Sequence, residues 1–254
     1  MSTLASGAAT VALQSPVHGP YGRGADQVWI VRPTTHVRAV VVFGHGWKGA
    51  PPSASHPWVA QFRPWLDHLI AQGDAVIFPR YQLGGDQPGS ARADAYRAGV
   101  AEGLRRLAAP ADTPVVAMGY SYGATLALTY AANARNWQLP QPRAADAVFP
   151  AGEIPGVPLP ALPPSTGVLL QVGDRDTTAR PGGASAFWAW LTRHPPNRKR
   201  YQVVRSHDSF SADHAAPKLT TAAARAAFWV PLDQLIGRAT LTMTWGARSD
   251  PRHL

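Results

Sequence analysis

The segment Val115-Val116-Ala117-Met118 runs directly into Gly119-Tyr120-Ser121-Tyr122-Gly123, and an alanine-rich stretch begins at Ala124. The first four residues form a short apolar run typical of a buried strand, whereas the stretch from Ala124 onward has the composition of a helix. A Gly-x-Ser-x-Gly sequence between a strand and a helix indicates a sharp turn that lifts the serine hydroxyl clear of a sheet. Ser121 is therefore our candidate nucleophile.

Short apolar runs alternate with longer segments of helical spacing along most of the chain. The predicted strands are Val28–Val31, Ala39–Phe43, Ala75–Phe78, Val115–Met118, Ala147–Phe149, Val168–Val172 and Tyr201–Val204. The predicted helices are Trp58–Ala71, Ala91–Leu107, Ala124–Ala134, Ala184–Thr192 and Thr221–Ile236. This alternation predicts an α/β fold with a mostly parallel central sheet and helices on both faces. Ligand sites of such sheets gather in the loops at the carboxyl ends of the strands.

The length and composition favour a single domain over residues 1–254. Hydrophobic residues make up 45% of the chain and charged residues 15%, which suffices for a buried sheet. We predict an irregular lead-in over residues 1–25 and a loop over residues 84–89. Residues 150–164 contain six prolines, so we predict a proline-rich excursion or a short lid there.

The composition also excludes several classes of function. The chain has no cysteine, which excludes disulfides, thiolate metal sites and a cysteine nucleophile. The net charge of +9 comes mostly from scattered arginines, and the densest basic run is only Arg198-Lys199-Arg200. A short run of this kind favours a solvated strand end over a nucleic-acid surface. We therefore expect no nucleic-acid partner. Nowhere do about 18 apolar residues follow one another, so we expect no membrane span, and no exposed apolar stripe demands a partner, so we expect a monomer.

The first ten residues lack the basic start and the continuous apolar stretch of a signal peptide. We expect a cytoplasmic location on this basis. A leader preceding this sequence would instead imply secretion.

The Gly119–Gly123 motif between its strand and its helix resembles the nucleophile turn of the α/β-hydrolase family. The resemblance extends over nearly the whole chain from about Val28 onward, and is greatest to the dienelactone-hydrolase-like and small serine esterase branches. The chain departs from dienelactone hydrolases proper, which use cysteine where Ser121 stands. The resemblance implies a catalytic triad in which an acid and then a histidine follow the serine, each after a later strand.

A second resemblance to the family lies at the end of the predicted strand Ala39–Phe43. The sequence Gly44-His45-Gly46-Trp47-Lys48-Gly49 is similar to the His-Gly segment that supplies part of the family's oxyanion hole. The resemblance implies that the backbone N–H groups of Trp47 and Tyr122 form this hole, and that both residues also line the substrate site. A glycine-rich turn in which His45 packs only locally is the alternative interpretation.

The acid is expected after the predicted strand Val168–Val172. The following residues Gly173-Asp174-Arg175-Asp176 are similar to the family's Gly-x-x-Asp pattern, which implies Asp176 as the acid. Asp174 is the alternative, with the other aspartate serving as a turn or cap residue.

The histidine is expected after the last predicted strand, where Ser206 and His207 follow Arg205. The family's order implies His207 as the general base. His214 is the rival, because the loop that carries it is long enough to curl back toward Ser121. The segment departs from the family's commoner Gly-x-x-His ending.

The resemblance implies a carboxylic-ester hydrolase that works through an acyl-enzyme intermediate on Ser121. Its substrate would be a small-molecule or acyl ester. An acyltransferase or amidase on the same scaffold, or a binding protein without catalysis, are the alternatives. The sequence contains no phosphate-binding or dinucleotide glycine motif, and the remaining histidines lack metal-ligand spacing, so we expect neither a cofactor nor a metal.

Overall fold

In the computed structural model, which describes residues 16–47, 57–83 and 87–241, eight strands form one sheet. The strands are β1 (Val17–Tyr21), β2 (Val28–Val31), β3 (Ala39–Gly44), β4 (Asp74–Pro79), β5 (Val115–Tyr120), β6 (Ala144–Val148), β7 (Gly167–Gly173) and β8 (Lys199–Val204). Their spatial order is β1-β2-β4-β3-β5-β6-β7-β8. The β1–β2 and β2–β4 pairs are antiparallel. The five remaining pairs, which join β4, β3, β5, β6, β7 and β8 in this spatial order, are parallel.

Helices cover both faces of the sheet. They are α1 (Pro57–Ala71), α2 (Gly89–Leu107), α3 (Tyr122–Asn133), α4 (Arg180–Trp190), α5 (Ala222–Ala224) and α6 (Val230–Leu241), and a π-helical turn (Arg225–Trp229) joins the last two. Short 3-10 turns are Gly24–Asp26, Leu191–Arg193, Pro196–Arg198 and Ala216–Lys218. The helices α1 and α6 pack on one face, and α2, α3 and α4 on the other. The predicted α/β class with a mostly parallel sheet is therefore confirmed.

The amino-terminal region differs from the irregular lead-in that the sequence predicts over residues 1–25. Residues 1–15 lie outside the described part, but Val17–Tyr21 form β1 and Gly24–Asp26 form a 3-10 turn. The strand escaped prediction because it is an edge strand whose middle residues, His18, Gly19 and Pro20, are exposed. Proline is tolerated at such an edge, where its missing N–H leaves no ladder bond unmade.

The strand β6 begins earlier than the predicted Ala147–Phe149. It starts at Ala144 and includes Asp146, which sequence reasoning left out because two alanines and a carboxylate carry little strand propensity. The predicted loop over residues 84–89 is only partly described, since residues 84–86 lie outside the described ranges and Gly89 already begins α2.

Residues 150–164 contain neither a helix nor a strand. They form an extended segment that lies along α3 and α4. Side chains of these helices bind its carbonyl groups: Thr125 Oγ1 donates to Gly152 O at 2.8 Å, and Asn133 Nδ2 donates to Pro158 O at 2.8 Å. Two side chains of the segment itself, Ile154 and Leu162, are buried. These contacts hold the segment against α3.

The first turn of α3 crosses the end of β3 in close backbone contact. A Cβ atom on Gly123 would lie 2.3 Å from the carbonyl carbon of Gly44 and 2.4 Å from the carbonyl oxygen of His45. A Cβ atom on Gly119 would lie 2.1 Å from the carbonyl oxygen of Gly123. All three distances are shorter than van der Waals contact, so only glycine fits at residues 119 and 123.

We expect Gly123→Ala to lower the free energy of unfolding by at least about 1–3 kcal/mol, because β3 and α3 must separate to admit the methyl group. Urea unfolding followed by circular dichroism measures this change. Gly237→Ala in α6 is the matched control, since its added Cβ meets nothing within 4 Å. The control should gain about 0.5–1 kcal/mol from the higher helix propensity of alanine. Equal stability of Gly123→Ala and the wild type would contradict the close crossing.

A second constraint within the sheet is the carboxyl group of Asp146. This side chain is fully buried, and neither of its oxygens has a hydrogen-bond partner among the described residues. Burial disfavours the charged form and raises the pKa of Asp146 well above its ordinary value. The group therefore opposes folding once the unfolded chain can ionise it.

We expect Asp146→Asn to flatten the pH dependence of stability. Above the ordinary aspartate pKa of about 4 the unfolded chain releases this proton while the native protein keeps it, so rising pH favours unfolding. The penalty grows by at most about 1.4 kcal/mol per pH unit until the native pKa is reached. Urea unfolding of both proteins from pH 4 to pH 8 tests this, with the exposed Asp94→Asn as control. Parallel pH profiles for Asp146→Asn and the wild type would refute the assignment.

Candidate active site

Ser121 occupies the turn between β5 and α3, as the sequence predicts. Its backbone has φ 58° and ψ −124°, a left-handed conformation that L-residues rarely adopt. The turn is held from below, because the N–H of Ser121 donates to the carbonyl of Val148 on the next strand at 2.8 Å. This strained geometry places the serine at the carboxyl edge of the sheet, where its side chain is partly exposed.

A chain of hydrogen bonds connects Ser121 to a histidine and an aspartate. Nε2 of His214 lies 3.0 Å from Oγ of Ser121, and Nδ1 of His214 lies 2.8 Å from Oδ2 of Asp176. The three residues follow β5, β7 and β8, so they converge on one edge of the sheet from separate strands. The distances match those expected for a nucleophile, a base and the group that orients the base.

Asp176 is held in its turn by backbone groups. Its Oδ1 accepts hydrogen bonds from the N–H groups of Thr178 at 2.8 Å and Ala179 at 3.1 Å, which leaves Oδ2 for His214. Burial alone would raise the pKa of Asp176, but the hydrogen bonds from His214, Ala179 and Thr178 outweigh it and hold the pKa below its ordinary value. The carboxyl group is therefore ionised at neutral pH.

Two aromatic residues fix the position of His214. The hydroxyl of Tyr120 donates to the carbonyl oxygen of His214 at 2.5 Å, and the two ring centroids are 5.0 Å apart. The ring of Phe149 also stacks against the imidazole, with 6.0 Å between the two centroids. Tyr120 lies within the nucleophile motif, yet sequence reasoning gave it no role, because the partner of its hydroxyl is a distant backbone carbonyl.

The structure does not bring His207 to Ser121, and this corrects the expectation for the general base. His207 is exposed and forms a tight turn in which its backbone pairs with that of Phe210. Its Nδ1 lies 3.4 Å from Oγ of Ser209. Since β8 lies three strands from β5, a residue just past its end is about 14 Å from the nucleophile. His214, farther along the loop, spans this gap.

Asp174 anchors the loop that carries His214. Its carboxylate accepts from the N–H of Ser206 at 2.9 Å and from the Ser206 hydroxyl at 2.5 Å, and the hydroxyl oxygen in turn accepts from the N–H of Ala212 at 2.9 Å. The side-chain hydrogen bond from Ser206 lowers the pKa of Asp174. The structure thus separates the two aspartates that the sequence left as alternatives: Asp176 contacts the histidine and Asp174 contacts the loop.

One signal in the sequence favours His214 over His207. Asp208 and Ser209, directly after His207, are typical turn residues. A turn at this point sends the chain back over the sheet, so that a residue beyond the turn, rather than His207, approaches Ser121.

The predicted oxyanion turn lies against the nucleophile. A Cβ atom on Gly46 would lie 3.4 Å from Cβ of Ser121, so the backbone at residue 46 directly adjoins the serine. The ring of His45 is buried beneath the turn, with Nδ1 2.7 Å from the carbonyl oxygen of Gly46 and Nε2 2.7 Å from that of Arg80. Trp47 follows with its side chain 46% exposed. Lys48 and Gly49 of the predicted segment lie outside the described residues.

Tyr122 begins α3 immediately after Ser121. The first N–H groups of a helix have no partner within it and carry partial positive charge. The side chain of Tyr122 is partly buried: its ring packs against Tyr81 at 5.9 Å between centroids, and the guanidinium of Arg92 lies 5.2 Å from its centroid. These contacts hold the ring of Tyr122 in place.

The described ranges contain neither a cluster of metal-ligating side chains nor a helix suited to a membrane. No group of three or more histidine, aspartate or glutamate side chains in these ranges is placed to hold a metal ion. None of the helices there combines the length and the apolar character needed to cross a bilayer.

Comparison with solved structures shows the same architecture in several hydrolases. Esterase B from Lactobacillus rhamnosis, solved with a tributyrin phosphonate, matches with a TM-score of 0.64 at 13% identity, over 89% of this chain and 86% of that chain. Carboxyl esterase 2 from Tuber melanosporum matches with a TM-score of 0.64 at 14% identity, over 94% and 88%. A candidate dienelactone hydrolase from Klebsiella pneumoniae matches with a TM-score of 0.58 at 17% identity, over 84% and 92%.

No protein-family model and no curated protein matches the sequence. The likeness to solved structures is therefore one of fold, and it agrees with the strand order and with the strand-turn-helix arrangement at Ser121. The chain has the α/β-hydrolase fold that the nucleophile motif implies.

Proposed function

We propose that this protein is a serine hydrolase that cleaves carboxylic esters through an acyl-enzyme intermediate. The observation that carries the proposal is the hydrogen-bonded chain from Ser121 through His214 to Asp176, with distances of 3.0 and 2.8 Å. Such a chain activates a hydroxyl group that is otherwise a weak nucleophile at neutral pH. The esterases among the structural neighbours are consistent with this chemistry.

The ionised carboxylate of Asp176 sets the tautomer of the histidine. Because a carboxylate only accepts hydrogen bonds, Nδ1 of His214 carries the proton, and Nε2 is free to accept the proton of Ser121. As Oγ attacks the ester carbonyl, His214 becomes an imidazolium ion, which Asp176 stabilises. The imidazolium then protonates the departing alcohol, and the same residues activate water to release the acid.

The tetrahedral intermediate carries a negative charge on the former carbonyl oxygen. We assign the stabilisation of this oxyanion to hydrogen bonds from the backbone N–H groups of Trp47 and Tyr122. Tyr122 supplies the N–H at the positive end of α3, next to the nucleophile. Gly46, whose Cβ position lies 3.4 Å from Cβ of Ser121, directly precedes Trp47, which supports the Trp47 N–H as the second donor. One donor of this kind contributes about 3–4 kcal/mol to the stabilisation of the transition state.

The side chains beside the serine support a small-molecule or acyl ester as substrate. The exposed Trp47 and the packed ring of Tyr122 belong to the two segments that adjoin Ser121, and both side chains offer apolar surface. Apolar walls with a few polar groups at the reacting atom are typical of small-molecule sites.

We expect His214→Ala and Ser121→Ala each to lower kcat for p-nitrophenyl acetate by at least about 10⁴-fold, because each change removes one half of the nucleophile-base pair. His207→Ala is the matched control and should retain the activity of the wild type, since His207 is exposed and contacts only its own turn. Full activity of His214→Ala, or loss of activity in His207→Ala with an unchanged circular dichroism spectrum, would reverse the assignment.

We expect Asp176→Asn to lower kcat by about 10²–10⁴-fold, because the amide can donate to Nδ1 and then favours the wrong tautomer of His214. The exposed Asp208→Asn should leave kcat unchanged. Labelling of Ser121 by a fluorophosphonate probe, followed by mass spectrometry, provides a readout independent of ester turnover. Rapid labelling of Asp176→Asn at the rate of the wild type would argue against the role of Asp176.

A further inference from the structure

The fully buried ring of His45 makes two hydrogen bonds of the same kind. Its Nδ1 lies 2.7 Å from the backbone carbonyl oxygen of Gly46, and its Nε2 lies 2.7 Å from that of Arg80. A carbonyl oxygen only accepts hydrogen bonds, so each contact requires a proton on the ring nitrogen. Neutral imidazole carries a proton on one nitrogen, whereas imidazolium carries a proton on both. The two contacts together therefore select the charged form of His45.

The surroundings of this ring offset the cost of burying a positive charge. Both nitrogen-to-oxygen distances lie in the short range that is typical of charge-assisted hydrogen bonds. The ring of Tyr81 stacks on the imidazole with 4.3 Å between centroids and 17° between planes, and the ring of Phe78 stacks at 5.6 Å and 21°. The faces of aromatic rings carry partial negative charge and attract cations. The site thus suits an imidazolium ion.

The hydrogen bond to Gly46 also sets the direction of a neighbouring N–H group. The carbonyl of Gly46 and the N–H of Trp47 belong to one trans peptide unit, in which the two bonds point in opposite directions. Because Nδ1 of His45 holds the carbonyl on the buried side of the turn, the N–H of Trp47 points away from that side. Among the described residues this N–H has no backbone acceptor.

A second side chain holds the preceding peptide unit of the turn. The hydroxyl of Tyr81 donates to the carbonyl oxygen of His45 at 2.6 Å. Burial raises the pKa of Tyr81 well above its ordinary value, so this hydroxyl keeps its proton as a donor. Two successive carbonyls of the turn, those of His45 and Gly46, are therefore bound by side-chain donors.

We infer that His45 is a positioning residue, a buried imidazolium ion that orients the Gly46–Trp47 peptide so that the Trp47 N–H can bind the oxyanion. The inference rests on the proposed function, in which Trp47 supplies one of the two donors. A charged donor on the Gly46 carbonyl also polarises this peptide unit, because hydrogen bonds in a chain strengthen one another in an interior of low dielectric constant. His45 acts through the peptide and does not touch the substrate.

Nitrogen-15 NMR of the labelled protein at pH 8 tests the charge of the ring. We expect the side-chain signals of His45, identified by their loss in His45→Gln, to show both nitrogens protonated. His194 is the internal control, a buried ring whose Nε2 lies 2.8 Å from the carbonyl oxygen of Thr166. Burial lowers the pKa of His194 below its ordinary value of 6.5, so its signals should be those of a neutral ring. A neutral pattern for His45 would overturn the inference.

Turnover of p-nitrophenyl acetate tests the orienting role. We expect His45→Phe, which keeps a flat ring but has no donor, to lower kcat per active site by about 10²–10³-fold. KM should change little, because an oxyanion donor acts in the transition state. His45→Gln can still donate a neutral hydrogen bond to Gly46 and should lose less. End-point labelling with a fluorophosphonate counts the active sites, so partial unfolding of a variant lowers this count rather than kcat per site.

His194→Gln is the matched control, because it also removes a buried histidine that contacts a carbonyl. Thr166, its partner, directly precedes β7 and so lies at the sheet edge opposite Ser121. We expect this variant to keep the kcat per site of the wild type. An unchanged kcat per site in His45→Phe, or an equal loss in His194→Gln, would overturn the positioning role. Failure of the wild type to hydrolyse the ester or to take up the probe would instead contradict the proposed hydrolase, and the NMR signals would still decide the charge of His45.

Discussion

The backbone contact between the first turn of α3 and the end of β3 determines how Ser121 and the turn after β3 are arranged at the edge of the sheet. Gly123 touches Gly44 and His45 at distances that exclude any side chain at residue 123. The same crossing forces Ser121 into its left-handed conformation and places Gly46 against it. One contact thus fixes Ser121 and the turn at Gly46 relative to each other, so neither element can move without the other.

His214 is brought to Ser121 by contacts of a different kind. The loop after β8 must cross β7 and β6 to meet Ser121 above β5. Asp174 and Ser206 hold the start of its path, and Gly173 admits the carbonyl of Ala212, which a Cβ atom would approach to 1.9 Å. Tyr120 then holds the end of the path through the carbonyl of His214. The histidine is therefore positioned by polar contacts along a loop, whereas the serine is positioned by backbone packing.

This difference explains which parts of the site could be predicted from the sequence. The buried strands and the turn at Ser121 depend on local patterns, namely apolar runs and two glycines at fixed spacing, which single-sequence reasoning detects. Asp176 also follows its strand within a few residues. His207, which we predicted as the base, does not approach Ser121, whereas His214 does, because the position of the histidine depends on how far the chain must travel across the sheet. Edge strand β1 was missed because pairing with β2, rather than propensity, stabilises it, and the alanine-rich start of β6 was missed because its burial and pairing do so.

The loop between β8 and His214 acts as a spacer whose length is set by the width of the sheet. Residues at its exposed turn, such as His207 and Asp208, contribute backbone length and a change of direction rather than side-chain chemistry. Exchanging their side chains leaves that length unchanged, whereas removing one residue shifts His214 along the loop by up to about 3.5 Å, more than a hydrogen bond can absorb. At this exposed turn, the number of residues matters more for the position of His214 than the identity of their side chains.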